Sequence, residues 1–236
     1  MLDLRAICLQ IDQKIHETGC NTNPFYGLIK SRPLQVPELK FFADQIYLNM
    51  MHFPRAIAGL SARVEEDAVC AELAHTVVVE LGEGKPGRAH SELFEKALVP
   101  MGISVADWRS AYHTPATLAL VQGVRELFLS GPTLAALGGN YALEKTGLPM
   151  LQALYEGFRR LPGSSVASME YFYLHLAVEA EHIESMAGAL GIALKRPEDA
   201  ALIEEGAVRV GRLLNDFWVA IHRGIESGKY SAPAAS

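Results

Sequence analysis

The stretch YFYLHLAVEAEHIESM, residues 171–186, places histidines and glutamates at a spacing that can bind metal. If the stretch is helical, with about 100° per residue, His175, Glu179 and His182 share one face with apolar side chains. A carboxylate in an apolar face pays a desolvation cost of several kcal/mol unless it is paired or bound to a metal. The pattern therefore indicates either a metal site or a buried histidine pair hydrogen-bonded to Glu179.

The distance between the two histidines bears on the number of metal ions. Positions 175 and 182 lie about 10 Å apart along a helix axis, too far for both side chains to chelate one ion comfortably. Two ions about 3.5–4 Å apart, each bound to one histidine, suit this spacing better. Such a site in a helical bundle takes further ligands from facing helices.

Glu144, within GGNYALEKTGLPML, is a further candidate ligand. On a helical wheel it lies among apolar and aromatic residues, including Tyr141 and Leu148, whereas Lys145 points away. A glutamate in this position either binds a metal or accepts a hydrogen bond from a tyrosine hydroxyl.

The segment VVVELGEGKPGRAHSELF, residues 77–94, supplies two more candidates. Glu80 ends one apolar helix and His90 begins the next, and the turn between them is rich in Gly and Pro. Such a turn can bring both side chains to one site. Glu83, at the edge of the loop, is the rival of Glu80, and a pair of solvated helix ends is the alternative interpretation.

These candidates amount to three carboxylates and three imidazoles on a helical scaffold. The mixture suits iron or manganese better than structural zinc, whose four ligands are usually rich in Cys and His. The candidate ligands are Glu80, His90, Glu144, His175, Glu179 and His182.

In order and spacing these residues resemble the haem-oxygenase-like diiron oxidases and oxygenases. That family has an early Glu and His, a Glu roughly fifty to sixty residues later, and H-x3-[D/E]-x2-H about thirty residues after that. VEL at the first Glu position and NYALE around Glu144 are similar to the member that converts fatty acids to terminal alkenes. The spacing of the first Glu and His varies in the family, which leaves Glu80 and Glu83 as alternatives, and Glu179 stands where Asp is commoner.

The resemblance implies a haem-oxygenase-like bundle of about seven to eight helices that binds two Fe²⁺ ions through the six candidates. It implies an O2-dependent oxidase or oxygenase in a biosynthetic pathway, with an amino acid or other carboxylate as the favoured small-molecule substrate. The reactions to expect are decarboxylation, fragmentation, N-oxygenation or nitrile formation, and an external electron donor is left open. The alternative is a metal-free enzyme of the same fold, resembling thiaminase II or the pyrroloquinoline quinone synthase.

A substrate pocket is expected beside the ligand helices, near Pro54, which should kink its helix close to His52 and Phe53. Each residue proposed for this pocket could instead simply pack in the core. If the substrate is a carboxylate, Arg55 or Arg125 is the residue expected to pair with it. The candidate substrate-binding residues are Tyr47, Met51, His52, Phe53 and Tyr141.

Composition narrows the class of protein. The chain has 236 residues, half of them apolar, and a net charge of -6, which argues against nucleic acid or an anionic membrane as the partner. No stretch reaches the roughly 18 consecutive apolar residues of a membrane span, and the N-terminus lacks a signal peptide's apolar core. Three scattered cysteines suit a reducing compartment, and we expect the protein to be cytoplasmic. The oligomeric state is open, a homodimer included.

The elements that must position the candidate ligands are helices. Apolar residues recur at intervals of three and four residues along nearly every long segment, and the alternating pattern of strands is missing. The chain is therefore predicted to be all-α. We expect one helical domain over residues 1–228 and a disordered tail over residues 229–236. The predicted helices cover residues 2–18, 38–63, 65–82, 88–100, 115–130, 133–160, 165–190 and 197–226.

Overall fold

The computed structural model of the chain describes residues 3–230, apart from the side chains of residues 178–182. Within these limits the chain is all-α, as predicted, with nine α-helices, three short 3-10 helices and no strand. The 3-10 helices are Gly82–Gly84, Val99–Met101 and Ala167–Met169. The α-helices are α1 Leu4–Glu17, α2 Pro24–Ser31, α3 Val36–Ser61, α4 Asp67–Glu80, α5 His90–Leu98, α6 Pro115–Ser130, α7 Thr133–Phe158, α8 Glu170–Ala193 and α9 Asp199–Ser227.

The number of α-helices is higher than the predicted seven to eight because α2 lies between residues 18 and 38, where no helix is predicted. Its sequence begins with residues that are typical of turns. The Asn23 side chain accepts a hydrogen bond from the backbone N–H of Tyr26, and Pro24 occupies the first helical turn. Both features are also favoured at helix starts, and the buried Phe25, Tyr26 and Ile29 then hold this short helix on the core.

Helices α7 and α9 form the centre of the bundle and approach each other closely at two glycines. A Cβ atom at Gly138 would lie 1.9 Å from the carbonyl oxygen of Ile203, and one at Gly206 would lie 1.8 Å from that of Ala135. Only glycine permits this contact between the two backbones. The crossing fixes the position of α7, the helix that carries Glu144.

The turn between α4 and α5 is held tight by Gly82. This residue has φ of +70°, and a Cβ atom there would lie 2.3–2.6 Å from backbone atoms of Arg88 and Ala89. The chain therefore folds back directly after Glu80 and returns to begin α5 at His90. Glycine at position 82 brings the end of one helix next to the start of the other.

Two long helices of the bundle contain an internal proline. Helix α3 continues through Pro54 to Ser61, and α7 continues through Pro149 to Phe158. Proline has no N–H, so the carbonyl groups of Met50 and Lys145, four residues earlier, lose their usual helical donor. The kink near His52 and Phe53 stays a prediction.

The C-terminal end of the described chain returns to the core, where the rings of Tyr230 and Phe41 lie 5.5 Å apart. Residues 231–236 of the predicted tail lie outside the described residues. The single-domain interpretation over residues 1–228 likewise stays a prediction. None of the helices described in residues 3–230 combines the length and the apolar composition that a membrane span requires.

Candidate metal centre

Three of the six candidate ligands meet at one point. Glu80, His90 and His175 each contribute a potential ligand atom, and these atoms lie within 4.8 Å of one another. They come from the end of α4, the start of α5 and the first half of α8. His90 is only 2% exposed and His175 is 8% exposed, so the cluster lies inside the protein.

The helix ends make Glu80 and His90 suitable as a pair around a cation. A carboxylate on the last residue of a helix is disfavoured by the helix dipole, because the carbonyl ends already carry partial negative charge. An imidazolium on the first residue is disfavoured for the opposite reason. A metal ion bound between them would offset the first effect, and neutral imidazole is the form of histidine that binds metal.

The nitrogens of His90 are buried without a conventional partner. Nδ1 of His90 lies 3.0 Å from Oε1 of Glu80, but neither ring nitrogen makes a hydrogen bond with correct geometry within the described residues. Two ligands about 2.1 Å from one ion and about 90° apart would be separated by about 3 Å. The separation is therefore one that two ligands of a single ion would have.

His175 is oriented by its own helix. Its Nδ1 lies 2.7 Å from the carbonyl oxygen of Tyr171, which can only accept, so Nδ1 carries the proton and Nε2 carries the lone pair. The ring also packs against those of His90 and Tyr171, with centroids 4.0 Å and 4.3 Å away. A backbone carbonyl on the second nitrogen is the usual support of a metal-binding histidine.

Glu144 lies beside this cluster. It is 8% exposed, and it lines the same cavity as Glu80 and His175. Glu144 is thus placed on the wall that α7 contributes. Glu179 and His182 belong to α8, but their side chains lie outside the described residues, and their roles remain predictions.

Glu83 is placed differently from Glu80. It has φ of +55° in the turn, and its carboxylate pairs with Lys85, which lowers its pKa. The side chain is 57% exposed, against 17% for Glu80. The geometry places Glu80, and not Glu83, beside His90.

The cavity next to the cluster has a volume of about 110 Å³. It lies between α3, α7 and α8, with Leu214 of α9 completing the wall. Glu80, Glu144 and His175 are its acidic and imidazole groups, and most of the other lining residues are apolar. The remaining lining residues are Ile46, Asn49, Met50, Phe53, Leu143, Thr146, Gly147, Met150, Leu151 and Tyr171.

Of the five candidate substrate-binding residues, Phe53 lines this cavity. Tyr47 instead donates a hydrogen bond to Glu95, and Tyr141 donates one of 2.8 Å to Asp12. His52 packs against Trp108 at 6.2 Å and lies in a separate surface groove with Arg125.

Met51, the fifth candidate, is half-buried against the core. Its carbonyl accepts a hydrogen bond of 2.6 Å from Arg55. The cavity residues that the sequence prediction missed on α3, Ile46, Asn49 and Met50, share a helical face with Phe53 at a spacing of three and four. This spacing is the sequence pattern from which the cavity-lining face of α3 could have been predicted.

Residues 40–214 of the chain match the family described as iron-containing redox enzyme. The chain belongs to this family. Among curated relatives, 4-chloro-allylglycine synthase of Streptantibioticus cattleyicolor is 23% identical over 207 residues, covering 88% of this chain and 79% of the relative. The 4-aminobenzoate synthase of Chlamydia pneumoniae is 21% identical over 172 residues, covering 73% and 75%.

Solved structures agree on the fold of this iron-containing redox enzyme. A CADD-like protein of unknown function from Nostoc punctiforme has a TM-score of 0.81 at 18% identity, covering 94% of this chain and 98% of that one. A domain with a heme oxygenase-like fold from Shewanella denitrificans has a TM-score of 0.71 at 20% identity, with both chains fully covered. The haem-oxygenase-like fold expected from the sequence is confirmed.

The residues at the cluster fit iron. They combine imidazole nitrogens with carboxylate oxygens, a set that suits iron, and no cysteine contributes to the cluster within the described residues. The buried nitrogens of His90, which have no hydrogen-bond partner among the described residues, fit a cation bound at this cluster. The chain can therefore supply the iron ligands that its family requires.

Proposed function

We propose that the protein is a non-haem diiron enzyme, an O2-dependent oxidase or oxygenase that modifies a small molecule. The convergence of Glu80, His90 and His175 beside a cavity that also contains Glu144 carries this proposal. Glu179 and His182 complete the proposed ligand set from α8. Two ions held by three carboxylates and three imidazoles would supply the activation of dioxygen.

The protein's own part in the reaction is to hold, orient and exclude water. The Tyr171 carbonyl fixes the ring of His175 through Nδ1, so that Nε2 is presented as the ligand. Gly82 keeps Glu80 next to His90. The apolar side chains of α3 and α7 line the cavity, where they limit water and position the substrate next to the ligands.

The favoured substrate is an amino acid or other carboxylate, used in a biosynthetic pathway. Support comes from the two curated relatives, whose named products, 4-chloro-allylglycine and 4-aminobenzoate, each contain an amino group and a carboxylate. The reactions that fit are decarboxylation, fragmentation, N-oxygenation and nitrile formation. Sequence identities of 21–23% to these relatives do not determine which of these reactions the protein catalyses.

Iron content tests the proposal directly. The full-length protein is loaded with Fe²⁺ in the absence of oxygen, and unbound iron is removed. The iron content is then measured, and we expect two iron ions per chain. His90→Ala should lose at least one of these, whereas His75→Ala, on the exposed face of α4, should keep both. Oxygen uptake is then followed with a panel of amino and fatty acids, and at least one compound should accelerate it. A protein that takes up no iron contradicts the proposal.

A metal-free enzyme of the same fold is less well supported. A thiaminase-like reaction needs a cysteine nucleophile next to the substrate. Cys8, Cys20 and Cys70 are free thiols, but none of them lines the cavity as described. Burial raises the pKa of both Cys8 and Cys20, which disfavours the reactive thiolate.

A further inference from the structure

Helix α3 presents one polar side chain to the cavity. Ile46, Asn49, Met50 and Phe53 follow each other at a spacing of three and four, so they share one face, and all four line the cavity. Asn49 is the polar member of this otherwise apolar face. Asparagine is a poorer helix former than leucine or methionine, so its presence here is not explained by helix stability.

The amide of Asn49 is available to a ligand. A carboxamide offers two N–H donors and a carbonyl acceptor. Within the described residues, no hydrogen bond of the Asn49 side chain is formed, although the residue is half-buried at the cavity wall. A polar group of this kind is stabilised only by water or by a bound molecule, and a bound molecule that matches it gains a hydrogen bond.

The charge of the cavity argues against an anionic group at this wall. Its acidic and imidazole lining residues are Glu80, Glu144 and His175, and the lining contains no Lys or Arg among the described residues. The residues outside the description, at 1–2, 178–182 and 231–236, contain no Lys or Arg either. A carboxylate next to Asn49 would be desolvated without a cationic side chain to pair with.

We propose that Asn49 determines substrate specificity by hydrogen bonding an uncharged polar group on an aliphatic chain. The apolar residues around it, among them Met50, Phe53 and Met150, take the hydrocarbon part of that chain. A carboxylate of the substrate then stays away from this wall. The inference rests on the proposed function in taking this cavity as the substrate site.

Binding of a matched pair of probes tests the role of Asn49. Pentanamide and pentanoate have the same carbon chain and differ in charge, and their dissociation constants are measured by calorimetry on the full-length protein before iron is loaded, so that neither probe can bind to iron. We expect pentanamide to bind at least fivefold more tightly than pentanoate. Asn49→Leu should weaken pentanamide binding roughly fivefold, which is the size expected for one net hydrogen bond.

Two variants separate recognition from a change in folding. Asn215→Leu makes the same substitution on α9, outside the cavity lining, and should bind pentanamide as the wild type does. Asn49→Asp replaces the amide by a carboxylate of the same shape and should bind pentylamine more tightly than the wild type. A variant that changes the cavity only by misfolding would not gain affinity for an amine.

Unchanged pentanamide binding in Asn49→Leu would overturn the inference, as would equal binding of pentanamide and pentanoate by the wild type. These outcomes are independent of iron uptake. If the protein binds no iron but shows the Asn49 pattern, the proposed function fails and the inference stands. If it binds two iron ions and Asn49→Leu has no effect, the inference fails and the proposed function stands.

Discussion

At the scale of single residues, the candidate centre depends on which atoms are left for a metal. His175 uses Nδ1 on the Tyr171 carbonyl, and this leaves the lone pair on Nε2. His90 has no conventional hydrogen bond among the described residues, although its ring is fully enclosed. Glu80 stands where the helix dipole opposes its charge. A cation bound between these three side chains would use the Nε2 lone pair of His175, satisfy a buried nitrogen of His90 and offset the charge of Glu80 at the helix end.

The choice between Glu80 and Glu83 is a sharp test at this scale. Glu80→Gln keeps the size of the side chain but removes the charge that a cation needs, so we expect at least one iron per chain to be lost. Glu83→Gln disrupts an exposed pair with Lys85 and should leave the iron content unchanged. Iron per chain is measured for both variants after identical loading. If Glu83→Gln loses iron and Glu80→Gln keeps it, Glu83 is the ligand and the assignment of Glu80 is wrong.

The sequence alone was enough to select the candidate ligands, whose role stays a prediction, but not to show how they are arranged in space. Glu144 and His175 could be selected as candidates because they fall on apolar helical faces, and Glu80 and His90 because they flank a turn rich in Gly and Pro. The preference for Glu80 over Glu83 depends on the backbone of the turn, where Gly82 reverses the chain. The pocket prediction chose Tyr47 and Met51, one position along from Ile46 and Met50. Both faces of α3 are apolar, so composition alone could not select between them.

At the scale of elements, the turn between α4 and α5 brings together two of the proposed ligands, Glu80 and His90. Gly82→Ala should lower iron affinity, because its Cβ atom would collide with the backbone of Arg88 and Ala89 and push α5 away. Gly84→Ala is the matched control, since Gly84 has nearly the same φ, +72°, with nothing within 4 Å of a Cβ atom. Both variants carry about 1–2 kcal/mol of backbone strain. Only Gly82→Ala should lose iron, and equal losses would contradict the role of the close contact.

The start of α3 is held by an ion pair whose effect depends on pH. Arg32 donates to both carboxylate oxygens of Glu38, at 2.6 Å and 2.7 Å, and lowers its pKa. Because the folded pKa lies below the unfolded value of about 4.3, the stabilisation is present at neutral pH and is lost as the pH falls through the folded pKa.

Glu38→Gln should therefore lower the melting temperature at pH 7 by about 2–4 °C, corresponding to about 1 kcal/mol for a pair with a partly exposed arginine. The difference from the wild type should shrink as the pH falls from 5 toward 3. Melting is followed by circular dichroism across this range, with the exposed Glu17→Gln as the control. A difference that stays constant down to pH 3 would show that the charge of Glu38 is not its cause.

At the scale of the whole molecule, the all-α class and most helix positions followed from apolar periodicity. The short helix α2 did not, because Asn, Pro and Gly near its start are shared by turns and helix N-termini. Its stability comes from tertiary packing: the ring of Phe25 lies 5.2 Å from that of Phe42 and 5.5 Å from that of Trp218. These partners are distant in sequence, so no local pattern could reveal them.

The crossing of α7 and α9 links the stability of the bundle to the position of Glu144. Gly206→Ala would place a Cβ atom 1.8 Å from the Ala135 carbonyl oxygen, and the two backbones would have to separate. We expect the melting temperature to fall by about 6–12 °C, equivalent to roughly 3 kcal/mol of overpacking. Iron affinity should fall as well, because α7 carries a proposed ligand.

Gly188→Ala on α8 is the control for this substitution, since a Cβ atom there meets nothing within 4 Å. Alanine is the better helix former by about 1 kcal/mol, so this variant should melt a few degrees higher than the wild type. Thermal melting and iron content are measured side by side for both variants. If Gly206→Ala melts no lower than the wild type, the close crossing of α7 and α9 is not what holds the helices of this bundle in place.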